Sequence, residues 1–469
     1  MPKTPGVATA LVAVLLGLAL LPARLEAQTL YGSIVGDVTD ASGAAVPNVT
    51  VVISSPGTGL SRQTVTNAAG GYSFPNVPAG EYQVEVSATG FAKYTRTGIP
   101  VTINSVVRVN VRLELSAVTE SLVVTGLSAV LQTDRAEVRS EMGTRELTNL
   151  PVPLGRNYQQ IFRTLPGFRP PTNAHSVPAN PTRALTFNVN GTSQSTNNTR
   201  IDGATSSNAH LPHLTAYVPT LESIDTVNIV SNSFDAEQGL AGGAAINVQV
   251  KSGTNAVHGS AFEYHSSQRM KAKPFFLPAG TGKPKLVYNQ FGGTIGGPIR
   301  KDKLFYFASY EGTFDRQNAS LLATVPTAAI RRGDMSESPR DVFDPLTGDA
   351  TGAGRIAFPG RQVPQSRISA ISRKIVDLTP QPSLTGLVSN YFATAPFIFD
   401  RHTTDVKVNW NASQKLTAFG RLGWLRYDTD NPQAFGPAAG GPAIAGGATG
   451  AGGGDTYSVT AAATYLFTP

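Results

Sequence analysis

Residues 401–411 alternate so regularly that only an extended strand with two unlike faces accommodates them. Thr404, Val406, Val408 and Trp410 fall on one side, and Asp405, Lys407, Asn409 and Asn411 on the other. Side chains alternate with period two in a strand, whereas a helix would spread both sets around its axis. The period recurs at 455–467, where Tyr457, Val459, Ala461, Ala463, Tyr465 and Phe467 share a face with aromatics at both ends. Six segments of this kind follow residue 256: 258–267, 286–296, 303–313, 401–411, 415–428 and 455–467. In the first, Phe262 and Tyr264 oppose Glu263 and His265; the third is apolar on both faces around 304–308. One apolar and one polar face, with aromatic girdles, is the pattern of a transmembrane β-barrel.

The connections give a second indication. Those after the first, third and fifth segments are long (268–285, 314–400 and 429–454), and those after the second and fourth are short (297–302 and 412–414). Bacterial barrels have short periplasmic turns and longer extracellular loops. A first strand running outward therefore puts every long loop outside. Six strands do not close a barrel, since the smallest natural ones use about 8. The sequence is thus expected to be a fragment or a truncated product.

Composition supports β structure. The chain has 47 Gly and 33 Pro among 469 residues, and both interrupt helices. A hydrophobic content of 41% is too low for a helical membrane bundle. There is no Cys, which excludes disulfides, thiol catalysis and Cys-based zinc sites. The net charge of +7 is scattered, with no basic block interleaved with aromatics, so no nucleic-acid partner is expected. His258, Glu263 and His265 lack metal-site spacing, and the two histidines fall on opposite strand faces. Asp202 and Asp225 are isolated and read as turn residues. No nucleophile–base pair stands out. The chain reads as a non-enzyme, with no catalytic, metal or cofactor residues.

The N-terminus reads as a signal peptide, residues 1–27. Lys3 precedes an apolar run over 7–21, Pro22 ends it, and Leu25-Glu-Ala27 offers a cleavage site. The alternative is an uncleaved anchor, for which the run is short. Residues 28–115 hold short strands separated by turn signals: 31–38, 49–53, 62–66, 72–74, 82–86 and 106–115. That spacing predicts a β-sandwich. Gly32-Ser-Ile-Val-Gly-Asp-Val-Thr-Asp-Ala-Ser-Gly43, Thr66-Asn-Ala-Ala-Gly-Gly-Tyr-Ser-Phe74 and Pro78-Ala-Gly-Glu-Tyr82 resemble the carboxypeptidase-regulatory-like, transthyretin-type domain. The resemblance implies an accessory module of carbohydrate-binding-like fold without catalytic residues.

Residues 116–126 contain Glu120, Ser121, Leu122, Val123, Val124, Thr125 and Gly126. An acidic residue followed by an extended apolar stretch suits addition to a partner's sheet edge. This segment resembles a TonB box. The alternative is that 122–124 is simply the last strand of the sandwich. In 127–255, Asn157 is placed to cap a helix presenting Tyr158, Ile161, Phe162 and Leu165, and 187–191, 200–203, 224–230 and 245–250 are strand-like. Leu150-Pro-Val-Pro-Leu-Gly-Arg-Asn157, Leu221-Glu-Ser-Ile-Asp-Thr-Val227 and Gly242-Gly-Ala-Ala-Ile-Asn-Val-Gln-Val-Lys-Ser-Gly253 resemble the plug of TonB-dependent receptors. His258-Gly-Ser-Ala-Phe-Glu-Tyr264, Asn289-Gln-Phe-Gly-Gly-Thr-Ile-Gly-Gly-Pro-Ile299 and Phe305-Tyr-Phe-Ala-Ser-Tyr-Glu-Gly312 resemble the Oar-like subfamily of those transporters.

The fold expected is therefore mainly β: a transthyretin-like sandwich (28–115), a linker (116–126), a mixed α/β plug (127–255) and a partial antiparallel barrel (256–469). The resemblance implies the outer membrane of a Gram-negative-type bacterium, with sandwich and plug on the periplasmic side. It also implies coupling to the TonB periplasmic domain of a TonB–ExbB–ExbD complex, contact with outer-membrane lipid, and passage of a large solute, inward or outward. A non-transporting surface or periplasmic binding protein is the alternative.

Overall fold

The computed structural model describes residues 31–467 apart from 116–120, 125–133, 154, 174, 178, 240, 276, 278–279 and 281. The expected signal peptide lies outside the described residues.

The first unit is a sandwich. Its strands are β1 (Gly32–Thr39), β2 (Thr50–Ser54), β3 (Ser61–Val65), β4 (Gly71–Val77), β5 (Gly80–Ser87), β6 (Lys93–Val101), β7 (Val106–Arg108) and β8 (Val111–Arg112). One sheet has β1 between β4 and β7, with β8 also on β1; the other runs β3-β2-β5-β6-β9. The last strand there, β9 (Ser121–Val124), pairs in parallel with β6. Period-two apolar residues meet between the sheets: Ile34 and Val38 from β1, Val51 and Ile53 from β2, and Tyr82, Val84 and Val86 from β5. The buried phenols are satisfied, Tyr72 Oη donating to Val109 O at 2.6 Å and Tyr82 Oη to Pro78 O at 2.8 Å. Strand β6 is not anticipated from sequence, because Gly98 and Pro100 break its run.

Gly36 marks the closest approach in this unit. A Cβ there would lie 1.9 Å from Val109 O. Gly36→Ala is therefore expected to pry β1 from the segment joining β7 and β8. Overpacking of this kind costs ~1–3 kcal/mol, and each kcal/mol lowers the melting temperature of a domain this size by ~4–8 °C. Thermal unfolding followed by circular dichroism checks it.

The middle unit carries a sheet of β10 (Val138–Gly143), β11 (Asn198–Ile201), β12 (Ala204–Thr205), β13 (Ile224–Asn232) and β14 (Ala245–Val250). Their order is β10-β13-β14-β11-β12. Helix α1 (Thr144–Asn149) follows β10. The helix expected after Asn157 is a 3-10 helix over Tyr158–Thr164, and Asn157 Oδ1 accepts from Gln159 N at 2.9 Å. Its Tyr158, Ile161 and Phe162 are buried as expected. Residues 187–191 make a single isolated bridge, Val189 with Phe168, in place of a strand.

The third unit is a six-stranded antiparallel sheet: β15 (His258–Ser267), β16 (Leu286–Arg300), β17 (Leu304–Ala323), β18 (Tyr391–Asn411), β19 (Leu416–Asn431) and β20 (Gly450–Tyr465). Every expected segment is a strand here. Most run longer than expected at the end bearing the long connections, so that 268–285 stays as expected while the other two shrink to 324–390 and 432–449. Polar residues beyond the apolar band still pair, as Arg316 with Ile398 and Gln317 with Phe397 show. One face of the sheet carries the rows Tyr310–Thr404–Trp424–Tyr457 and Leu304–Trp410–Ala418–Ala463, with Leu416–Tyr465 below. From Tyr457 to Tyr465 is about 27 Å along the strand, or about 21 Å of membrane depth at a tilt of ~40°. That is close to a barrel's apolar band. Above it the same face turns charged, with His402, Arg426 and Asp455 in one row.

Candidate functional site

The opposite face of the sheet packs in large part against the middle unit. Phe307, Phe397, Phe399, Leu425 and Tyr427 join one hydrophobic cluster with Tyr158, Phe162, Tyr217 and Ile229 of the middle unit. This explains the third segment's two apolar faces: Phe305 and Phe307 are buried inward, while Leu304 and Tyr306 face outward.

The polar inward residues of β18 and β19 form a buried ionic seat. Lys407 Nζ donates to Asp202 Oδ1 at 2.8 Å and to Val250 O at 2.9 Å. Arg421 lies 3.3 Å from Asp202 and 3.1 Å from Asp405. Asp405 also accepts from Ser223 Oγ at 3.3 Å. Both side chains of the Arg421–Asp405 pair are 0% exposed. Two carboxylates and two cations balance, which allows them to be buried. Asp202 is thus more than the turn residue expected. It does sit at a turn, with φ +47°, and that turn aims its carboxylate at the wall. Asp225, also expected in a turn, lies within β13. Two glycines record how closely the units fit: a Cβ on Gly423 would lie 2.6 Å from the Tyr217 ring, and one on Gly253 would lie 2.2 Å from Tyr306 O.

A second set of contacts lies nearer the long connections. Arg401 donates to Glu311 Oε1 at 3.1 Å and to Thr182 O at 3.3 Å. Arg156 pairs with Glu222 at 2.6 Å and stacks 4.0 Å over the Tyr264 ring. Tyr264 therefore points inward, so Glu263 and His265 face out. His265 bonds Asn289 Oδ1 and His258 bonds Ala256 O. Between the middle unit and the wall opens a recess of about 670 Å³, lined among others by Asn157, His175, Arg183, Tyr288, Phe397 and Phe399. His175 Nε2 lies 2.6 Å from His213 Nε2. Burial and the neighbouring His175 hold the His213 imidazole below its ordinary pKa.

The sandwich is seated at the end bearing the short turns. Its 102–105 loop grips the edge of the middle sheet: Thr102 Oγ1 donates to Glu141 Oε2 at 2.8 Å, Arg139 Nη2 to Asn104 O at 2.6 Å, and Asn228 Nδ2 to Ile103 O at 3.2 Å. Asn255 N donates to Gly57 O at 2.8 Å, and its amide bonds Asp302 in the first short turn. Of the TonB-box residues expected from sequence, Ser121, Leu122, Val123 and Val124 form β9. Glu120, Thr125 and Gly126 lie outside the described residues. The ionic seat was not singled out from sequence. The signal available was an inward-facing Asp405, Lys407 and Arg421 on adjacent strands.

Comparison with known proteins agrees with this architecture. A family model for an outer membrane beta barrel domain matches residues 249–469, and one for a carboxypeptidase regulatory-like domain matches 33–114. The TonB-dependent transporter Oar of Myxococcus xanthus is 28% identical over 347 residues, covering 70% of this chain and 31% of the relative. The chain thus spans about a third of the length of that relative. Among solved structures, a ferric enterobactin receptor mutant from Pseudomonas aeruginosa is similar at 14% identity, covering 63% of this chain and 34% of that one, with a TM-score of 0.35. The outer membrane transporter YddB from Escherichia coli is similar at 14% identity, with the same coverage and a TM-score of 0.38. The chain thus joins a segment that matches a carboxypeptidase regulatory-like domain to one that matches an outer membrane β-barrel domain, and over 347 residues it is similar to the TonB-dependent transporter Oar.

Proposed function

We propose that the chain supplies the gate and coupling parts of an energy-dependent outer-membrane transporter. The middle unit is the plug, the six-stranded sheet is the wall it seats in, and residues 120–126 are the segment by which a TonB–ExbB–ExbD complex pulls. The observation that carries this reading is the ionic seat. A permanent interface gains most from apolar packing, whereas replacing buried ions by apolar groups is often neutral or stabilising. A plug held partly by Asp202, Lys407, Arg421 and Asp405 has charges that water can take up once it shifts. On this reading the long connections and the recess face outward, where a large solute arrives, and the sandwich faces the periplasm. No chemical step is involved; work comes from the inner membrane.

The test is import by the protein carrying Leu122→Pro or Val123→Pro. Proline removes a backbone donor and disrupts strand addition. Uptake is expected to fall to the level of a strain lacking TonB. Undiminished uptake would make 121–124 merely the sandwich's final strand and refute the coupling role.

A further inference from the structure

The position of β9 bears on how a partner reaches it. We propose that the TonB periplasmic domain adds a strand to the outer edge of β9 while β9 stays in the sandwich sheet, so that the sandwich is a docking platform. This rests on the function proposed above and concerns how residues 121–124 are engaged.

In the order β3-β2-β5-β6-β9, β9 is terminal, and β6 is its neighbour among the described residues. The pairing is parallel, with Lys93 opposite Ser121, Tyr94 opposite Leu122, Thr95 opposite Val123 and Arg96 opposite Val124. A strand paired on one side offers its remaining N–H and C=O groups along the other, which is a template for a further strand. Ser121-Leu-Val-Val124 carries no charge, so its recognition rests on main-chain hydrogen bonds, the mode of strand addition. Holding those residues extended beforehand removes part of the ordering cost that a free segment would meet on binding.

The platform is also fixed in place. Loop 102–105 ties the sandwich to β10 and β13 through Glu141, Arg139 and Asn228, and Gly57 ties it to Asn255 at the start of the wall. A partner carried on β9 would sit at a set position relative to β10, the first strand of the middle unit. If β9 instead had to leave β6 before a partner could bind, the sandwich would compete with the partner.

The two arrangements differ in one experiment. The chain has no Cys, so Thr95→Cys with Val123→Cys puts one thiol on each member of a register pair. Neighbouring strands lie ~4.8 Å apart, within the Cα separations a disulfide spans. The detergent-solubilised protein is oxidised, and its binding of the purified TonB periplasmic domain is measured by calorimetry with and without dithiothreitol. The disulfide is expected to form, with affinity in the oxidised state within about threefold of the reduced. A loss of about tenfold or more on oxidation, recovered on reduction, would overturn the platform while leaving the coupling segment intact. Thiols that react with a maleimide yet never pair would overturn it too, since β9 would not lie on β6. No binding even by the reduced and wild-type proteins would refute the coupling segment itself, and the platform with it.

Discussion

Arg421→Leu is expected to loosen the middle unit more than any other single change in the wall. The guanidinium lies against both Asp405 and Asp202 with no exposure to solvent. Removing it leaves Lys407 as the one cation of the seat beside two buried carboxylates. Stripping one partner from a buried ion pair costs about 3–5 kcal/mol. At 1.4 kcal/mol per tenfold, the released population rises roughly 10²- to 4 × 10³-fold. Pulse proteolysis of the solubilised protein in graded urea measures that population through cleavage of the 134–250 region. Because the harm comes from the orphaned carboxylate, Arg421→Met combined with Asp405→Leu is expected to recover most of the loss. Equal damage from single and double variants would show that Arg421 acts by packing alone.

The second large effect belongs to the aromatic centre of the middle unit. Phe162 is fully buried, with ring centroids 5.7 Å from Tyr158 and 5.3 Å from Phe187, both edge-on. Phe162→Ala removes these contacts and leaves a cavity, at a cost of about 3–5 kcal/mol. Its neighbour behaves oppositely. Tyr158 is equally buried, and its hydroxyl has no hydrogen-bond partner among the described residues. Tyr158→Phe deletes a desolvated, unpaired group and is expected to be neutral or stabilising by up to ~1 kcal/mol. The same proteolysis assay ranks the two variants. A Tyr158→Phe protein as unstable as Phe162→Ala would mean that the hydroxyl is bonded in solution.

How much of this is visible in the sequence depends on the range of the forces involved. The wall strands are legible because a sheet with two unlike faces imposes a period of two, as in Thr404 to Trp410. Their outer ends are not, since Thr394, Asp400 and Arg316 look like loop residues while still pairing in the ladder. Strand β10 escapes notice because Arg139 and Glu141 put charge into it, and both charges are consumed by the sandwich loop. The ionic seat is the least legible. Asp202 and Lys407 are 205 positions apart, and nothing local tells either residue what it will face. Lumen-facing polarity was readable, but the sequence pattern of a watery lumen and that of a plug seat are the same. The proposed coupling segment is legible only by resemblance.

The order β10-β13-β14-β11-β12 has a mechanical consequence. Among the described residues, β10 is paired on one side only, and it is the first strand that tension arriving along the chain from residue 134, as on the proposed coupling, would reach. Tension entering there meets the pairs between β10 and β13 in succession, like the teeth of a zipper, so each yields under a small force. Strand β13 is flanked on both sides and must shed two ladders to move. The domain therefore has a tear line at its entry and a stiff centre behind it, and loop 102–105 stitches across that line by holding Glu141 on one side and Asn228 on the other.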